Sequence, residues 1–287
     1  MRDVSSGLLA GGVPYLAIGD GPPVVSVEGL TPTHEIPTGW SRRMALSGLA
    51  ELTGDFRVYW VNRKQGLSPG ESMSDIAGHL AAAIEDEFGE PVLLTGRSSG
   101  SSVALQLAVD RPELVRALVV VAALPRAGGP GVETEQELAR SIREGDFAGG
   151  WARMMTERLP APLQRPAVPL LKLLTRSMAP DDPTDLLVSI EAELAFDVGD
   201  RLDRITAPTL VIGGAKDPYN PPDAIEEIAA GVQNGRAHIY PTWGHLRTCM
   251  SSTTGKLTLG FFLAAPDARG HTPHARKRNQ ASTEQNS

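Results

Sequence analysis

Residues 92–110 read VLLTGRSSGSSVALQLAVD, and within this stretch an apolar strand pattern gives way to a helical one across a turn with a serine at its centre. Val92 to Thr95 lacks polar alternation, as a strand buried on both faces should. Gly96 and Gly100 leave room for a sharp turn, and Ser99 to Asp110 then predicts a helix whose first N–H groups stand beside Ser98. The pentapeptide Gly96-Arg97-Ser98-Ser99-Gly100 is a G-x-S-x-G pattern in the context its chemistry needs, an outthrust serine next to donors for a developing oxyanion. The competing reading is a plain glycine-assisted turn, or one that holds a phosphate, but neither G-x-x-x-x-G-K-[ST] nor G-x-G-x-x-G accompanies it.

The same pattern recurs at Gly66-Leu67-Ser68-Pro69-Gly70. There a proline follows the serine, and proline has no N–H to donate. Ser68 therefore reads as a loop residue.

Outward from residues 92–110, short apolar runs alternate with helical stretches, the signature of an α/β chain with a mostly parallel, doubly wound sheet covered by helices on both faces. Strands are expected at Val24–Val27, Arg57–Val61, Val92–Thr95, Ala117–Ala122, Thr209–Ile212 and Ala237–Tyr240, and a starting hairpin at Leu8–Ile18. Helices are expected at Ser74–Phe88, Ser99–Asp110, Pro222–Val232 and about Thr248–Leu263. Between Pro125 and Gly199 strand patterns vanish and four amphipathic pieces replace them: Glu133–Arg143, Gly150–Arg158, Pro169–Met178 and Thr184–Phe196. The expected division is a core of residues 1–124 and 200–265, an inserted helical layer at 125–199, and a disordered tail at 266–287 that lacks apolar periodicity.

Composition excludes several function classes. With 287 residues, 41% hydrophobic and 30 glycines, the chain can bury a sizeable core without a disulfide or metal staple. Its formal charge is -7, and its basic residues gather nowhere before the tail, so a nucleic-acid surface is not expected. The single cysteine, Cys249, cannot form an intramolecular disulfide. No run of 18 apolar residues and no signal-like apolar stretch occurs, which leads to the expectation of a cytoplasmic protein without membrane contact. A small molecule is the expected partner, and no cofactor or metal is called for.

A serine hydroxyl needs an imidazole to take its proton and a carboxylate to orient that imidazole. After the Thr209–Ile212 strand comes Gly213-Gly214-Ala215-Lys216-Asp217, and after the strand ending at Tyr240 comes Pro241-Thr242-Trp243-Gly244-His245. Both loops leave the carboxyl ends of their strands, where α/β sheets hold ligands. Of the other histidines, His79 lies in an expected helix, His238 in a strand, and His271 and His274 in the tail. His34 remains a second candidate, with a solvated loop position as its default. Ser98, Asp217 and His245 are the candidate nucleophile, orienting acid and base.

These residues, in this order, resemble the α/β-hydrolase superfamily, and in particular its small serine-nucleophile members with a helical cap, such as esterases, cofactor-free haloperoxidases and carbon–carbon bond hydrolases. Arg63, Gly66 and Ser68 are similar to the family's R-G-x-G-x-S loop. By position, the resemblance implies oxyanion donors at the backbone N–H groups of Leu30 and Ser99. It also implies cleavage of an ester or related acyl bond through an acyl-enzyme. The chain departs from the family at Glu28-Gly29-Leu30, where His-Gly is usual. A carboxylate there would oppose an oxyanion unless it is protonated or paired, and either an ion pair with Arg97 or a solvent-facing position would meet that need. The helical layer offers Trp151, Met154, Met155, Leu187 and Ile190 to a pocket for a small, largely apolar substrate. Two alternatives stay open: a ligand-binding protein on this fold with slow or no turnover, or a lyase or cofactor-free oxygenase that uses only the histidine base.

Overall fold

The computed structural model describes residues 4–156 and 161–266, so the expected tail at 266–287 lies, apart from Pro266, outside the described residues. Its centre is one eight-stranded sheet: β1 (Val4–Leu8), β2 (Pro14–Ile18), β3 (Pro23–Val27), β4 (Arg57–Val61), β5 (Val92–Arg97), β6 (Val115–Val121), β7 (Thr209–Gly214) and β8 (Gly235–Tyr240). The spatial order is β1-β2-β4-β3-β5-β6-β7-β8, with β2 antiparallel to both of its neighbours, β1 and β4, and every other pair parallel. The starting hairpin begins at Val4 rather than Leu8, because Ser5 to Leu8 pairs with Pro14 to Ala17 despite its exposed side chains.

Helices cover both faces. One face carries α2 (Met73–Phe88), α3 (Ser99–Asp110) and α8 (Pro222–Gly231); the other carries α1 (Gly39–Ala45), α9 (His245–Met250) and α10 (Ser252–Leu263). Between β6 and β7 the chain forms α4 (Gly129–Arg143), α5 (Phe147–Thr156), α6 (Ala161–Thr175) and α7 (Thr184–Leu194). The last part of the expected Gly150–Arg158 helix lies outside the described residues.

Local chemistry explains where elements start and stop. Ser72 caps α2 by accepting from the Asp75 N–H while the Asp75 carboxylate accepts from the Ser72 N–H, and Gly89 ends the helix at φ +64°. Met73, Ile76, Leu80 and Ile84 recur on one helical face and are buried, each contributing about 1.5–3 kcal/mol. The helix expected at Thr248–Leu263 divides at Ser251, whose extended backbone (ψ 138°) starts α10 and whose Oγ accepts from the Thr253 N–H. In the inserted region, α4 begins at Gly129, before the apolar periodicity, and α6 accommodates Pro166 and Pro169 within its length.

Strand order positions the site. β3 is followed in sequence by β4 on one side, whereas β5 pairs on its other side, so the chain reverses direction across the sheet at β3 and β5. Loops leaving the carboxyl ends at such a point diverge and open a crevice. Register sharpens this, because Val27 is opposite Gly96 and the residues that leave these strands side by side are Glu28 and Arg97.

Candidate active site

Ser98 stands between β5 and α3 at φ +52° and ψ -132°, a strained conformation for a residue with a side chain. The turn closes because two glycines let backbones approach. A Cβ on Gly96 would lie 2.3 Å from the Gly100 carbonyl oxygen, and one on Gly100 would lie 2.4 Å from that of Val27. The Ser98 N–H donates to the Val121 carbonyl at 2.9 Å, which continues the β5–β6 pairing into the turn.

The Ser98 hydroxyl faces the imidazole of His245, with Oγ 3.1 Å from Nε2. His245 Nδ1 donates to Asp217 Oδ2 at 2.8 Å, which in the neutral ring leaves Nε2 as the acceptor. Asp217 is itself held: its Oδ1 accepts from the N–H groups of Tyr219 (2.9 Å) and Asn220 (3.3 Å), and its Oδ2 accepts from Asn220 Nδ2 (3.2 Å). Burial pushes the Asp217 carboxyl up, but these bonds and the His245 ring outweigh it and hold it below its ordinary value. Burial works against a charge on His245, while the neighbouring Cys249 and Asp217 favour it, and the balance raises the imidazole. Cys249 is one helical turn along α9, its Sγ 3.9 Å from Nε2. The Tyr219 ring stands edge-on to the imidazole at 5.4 Å.

Leu30 and Ser99 both line the cavity in front of Ser98. Ser99 opens α3, so its N–H has no acceptor within that helix. The loop carrying Leu30 is held close, since a Cβ on Gly29 would meet Ser98 Cβ at 3.5 Å. Arg63 braces it from below: its Nη1 donates to the Gly29 carbonyl at 3.1 Å, and its Nη2 to Ser99 Oγ at 2.7 Å and to the Ser99 carbonyl at 3.3 Å.

Glu28 is paired. Its Oε1 accepts from Arg97 Nε at 2.9 Å and from the Gly29 N–H at 2.8 Å, and its Oε2 accepts from Trp60 Nε1 at 2.6 Å and from Arg97 Nη2. Arg97 donates further to the carbonyls of Ser47 (3.1 Å) and Ala45 (2.7 Å). Burial raises the Glu28 carboxyl, but Arg97 and Trp60 together bring it below its ordinary value. The charge that seemed misplaced in sequence is therefore neutralised by a partner 69 positions away.

The cavity measures about 740 Å³. Trp151 and Met154 line it, whereas Met155, Leu187 and Ile190 do not; they pack with Leu138, Ile142 and Phe147 inside the helical insertion. Helical spacing shows that such residues share a face but not which neighbour that face meets. His34 is neither solvated nor in the cavity: it is 2% exposed, with Nδ1 3.0 Å from the Lys64 carbonyl and Nε2 3.3 Å from Ser189 Oγ on α7. Burial and the Arg63 charge push its pKa down to about 4, so it bridges loop and insertion as a neutral ring. Ser68 remains in a loop, its N–H donating to Glu71 at 2.9 Å.

Sequence reasoning overlooked Trp60, Asn220 and Tyr219 as supports. Asn220, three residues after Asp217, fits an Asx-type loop signal, but Trp60 in an apolar strand gives no sign that its N–H meets a carboxylate. Glu135, Glu193 and Ser102 also line the cavity without having been singled out.

A family model described as the alpha/beta hydrolase family matches residues 29–252. The chain is 28% identical over 265 residues to pyrrolizixenacetamide deacetylase of Xenorhabdus hominickii, covering 89% of this chain and 96% of that one. It is 26% identical to the pimeloyl-[acyl-carrier protein] methyl ester esterase of Nitrosomonas europaea, covering 72% and 86%. Among solved structures, a hydrolase from Pseudomonas aeruginosa PA01 superposes with a TM-score of 0.71 at 22% identity, covering 92% of this chain and 99% of that one.

Proposed function

This chain belongs to the alpha/beta hydrolase family, and we propose that it is a serine hydrolase that cleaves an ester or related acyl bond of a small, largely apolar molecule through an acyl-enzyme. The observation that carries this reading is the single imidazole bridging Asp217 at 2.8 Å and Ser98 at 3.1 Å. Ser98 Oγ attacks the substrate carbonyl as Nε2 of His245 takes the hydroxyl proton, and Asp217 keeps Nδ1 as the donor. The carbonyl oxygen becomes an anion, for which the Leu30 and Ser99 N–H groups are the donors at hand. As the tetrahedral centre collapses, the leaving group departs with the proton from Nε2, and Ser98 carries the acyl group. Water then attacks in the same way, its proton passing to His245 and on to the departing Ser98 Oγ.

An unpaired carboxylate at Glu28 would favour a binding protein without turnover, and its pairing with Arg97 takes that ground away. Among the described residues no helix is long and apolar enough to cross a membrane. The reading places the reaction in the cytoplasm, on a small-molecule substrate, with no cofactor.

Ser98→Ala tests it. The variant should lose ester cleavage by on the order of 10⁶-fold in kcat and should not be labelled by a fluorophosphonate probe. A Ser98→Ala protein that still turns over at an appreciable rate would instead point to a lyase or oxygenase that needs only the His245 base.

A further inference from the structure

The large apolar side chains that the fold leaves in water gather around the mouth of the cavity. Leu163, Leu170, Leu173 and Leu174 on α6 are each more than half exposed. Met178, four residues beyond Leu174, is exposed and lines the cavity, as do Trp40 of α1, at 71% exposure, and Leu246 of α9. The remaining large exposed apolar chain among the described residues is Leu8, on the edge strand β1. Apolar surface therefore runs from α6 to the opening above Ser98. A contiguous patch of this kind marks a binding face, whereas single exposed apolar residues call for no explanation.

The residues of α6 divide among three faces. Gln164, Ala167, Val168, Leu171 and Thr175 are buried or half-buried at helical spacing, and Thr175 Oγ1 donates to the Ala148 carbonyl of α5 at 3.2 Å, so this side rests on α5. Leu163, Leu170 and Leu174 recur at i, i+7 and i+11 along one exposed line. Arg165, Lys172 and Arg176 repeat that spacing along another. Lys172 pairs with Asp146 at 2.7 Å. Arg165 and Arg176 enter no ion pair among the described residues, and neither does Arg43, three positions after Trp40 on α1. In a chain with 34 acidic residues against 27 basic ones, free cations beside an apolar stripe fix the sign of what this face meets. Glu35 and Asp181 carry the opposite charge, but they belong to the opening itself and not to α6.

The occupant of this face must accept apolar side chains, carry negative charge and leave the cavity open to substrate. A second copy seated across a two-fold axis would set the arginines against their own counterparts and close the mouth. A folded protein of another kind would close it too. The surface of an anionic bilayer meets all three conditions. It takes leucine and tryptophan side chains at the headgroup boundary, pairs with arginines there, and supplies dissolved apolar molecules to an opening that faces it.

We propose that α6 and the rim of the cavity form a docking face for the surface of an anionic lipid bilayer, with the four leucines in the headgroup boundary and Arg165 and Arg176 on lipid phosphates. Docking goes beyond the acyl-transfer reading and does not depend on it; the two together give the site apolar substrates drawn from the membrane. The expectation of no membrane contact rested on the lack of a run of about 18 apolar residues, which bears on crossing a bilayer and not on lying against one.

Co-sedimentation with vesicles tests the face, using phosphatidylcholine alone and phosphatidylcholine with phosphatidylglycerol in equal parts. The protein should favour the anionic vesicles roughly thirtyfold or more, and added salt should erase that preference. Arg165→Gln with Arg176→Gln should weaken anionic binding roughly thirtyfold, at about fivefold for each cation lost. Leu170→Gln with Leu173→Gln and Leu174→Gln should weaken it at least as much. None of these five residues lines the cavity, so both variants should melt, and cleave para-nitrophenyl acetate, like the native protein. Trp60, Trp151 and Trp243 are buried, so a blue shift of emission on anionic vesicles should come from Trp40 and vanish in Trp40→Phe. Equal sedimentation with and without phosphatidylglycerol, or binding that survives both sets of substitutions, overturns the docking face. So does a dimer in solution that the leucine substitutions dissociate, which would assign the face to a second copy. A protein that cleaves no ester would end the acyl-transfer reading and leave vesicle binding to decide the docking face by itself.

Discussion

Arg97 is the last residue of β5, next to the turn that carries Ser98, and its guanidinium goes to Glu28 and to two carbonyls of the α1 region. Both side chains of the pair are largely buried, at 9% and 13% exposure. Removing one member of such a pair leaves the other as an uncompensated charge, which costs on the order of 3 kcal/mol or more. Glu28→Gln should therefore destabilise the fold and lower kcat/KM, while Glu28→Gln with Arg97→Met should lose less than the sum of the single changes. Denaturant titration of all four proteins measures the coupling; additive losses would show that the pair does not act as a unit. The sign with pH follows from the lowered Glu28 carboxyl. Its stabilising contribution is present above the ordinary carboxylate value of 4.5 and is lost as pH falls through the lower folded value, so the gap between native protein and Glu28→Gln should shrink in acid. His245 has the opposite sign. Cys249 helps to raise its pKa, and the proposed reaction needs a neutral ring, so Cys249→Ala should move the rising limb of the kcat/KM profile to lower pH. An unmoved limb would mean that the sulfur at 3.9 Å does not influence the base.

The strand-to-helix turn depends on absent side chains. An alanine at position 100 would drive its Cβ to within 2.4 Å of the Val27 carbonyl, a backbone atom that cannot rotate aside. Gly100→Ala should cost about 3 kcal/mol of stability, as overpacking does, and abolish turnover by displacing both Ser98 and the start of α3. Gly78, on α2, provides the contrast, since a Cβ there meets nothing within 4 Å. Gly78→Ala should raise stability by about 0.5–1 kcal/mol through helix propensity. Thermal melts of the two variants should move in opposite directions. Other elements show what local signals omit. The sequence predicts one helix over about Thr248–Leu263, yet the chain breaks at Ser251, because that residue can cap a new helix. The helix expected at Pro169–Met178 begins instead at Ala161 and takes both Pro166 and Pro169 into its length.

Across the whole molecule, the parallel sheet was legible because strands buried on two faces need continuous apolar residues, as at Val92–Leu94 and Leu118–Val121. The loops that carry Ser98 and Asp217 were legible for a related reason, since each directly follows such a run, whereas His245 follows the half-exposed edge strand β8. Strand order was not legible, since nothing local tells β4 to pair outside β3 while β5 pairs inside it. Contacts across long separations were equally silent. Trp60 reaches Glu28 across 32 positions, and Ser102 reaches Glu193 across 91, and neither partner lies in a pattern that names the other. The pocket wall suffered most, because the helical insertion buries its apolar stripe partly in itself, with Leu187 and Ile190 inside and Trp151 and Met154 towards the cavity.

The order of the catalytic parts along the chain also governs when chemistry can begin. A polypeptide emerging from the ribosome displays Ser98 early, but its proton acceptor lies beyond β8. On the proposed acyl-transfer reading, the hydroxyl is no more reactive than any alcohol until His245 has been synthesised and stands between Asp217 and Ser98, so a half-made molecule would hydrolyse nothing that it meets.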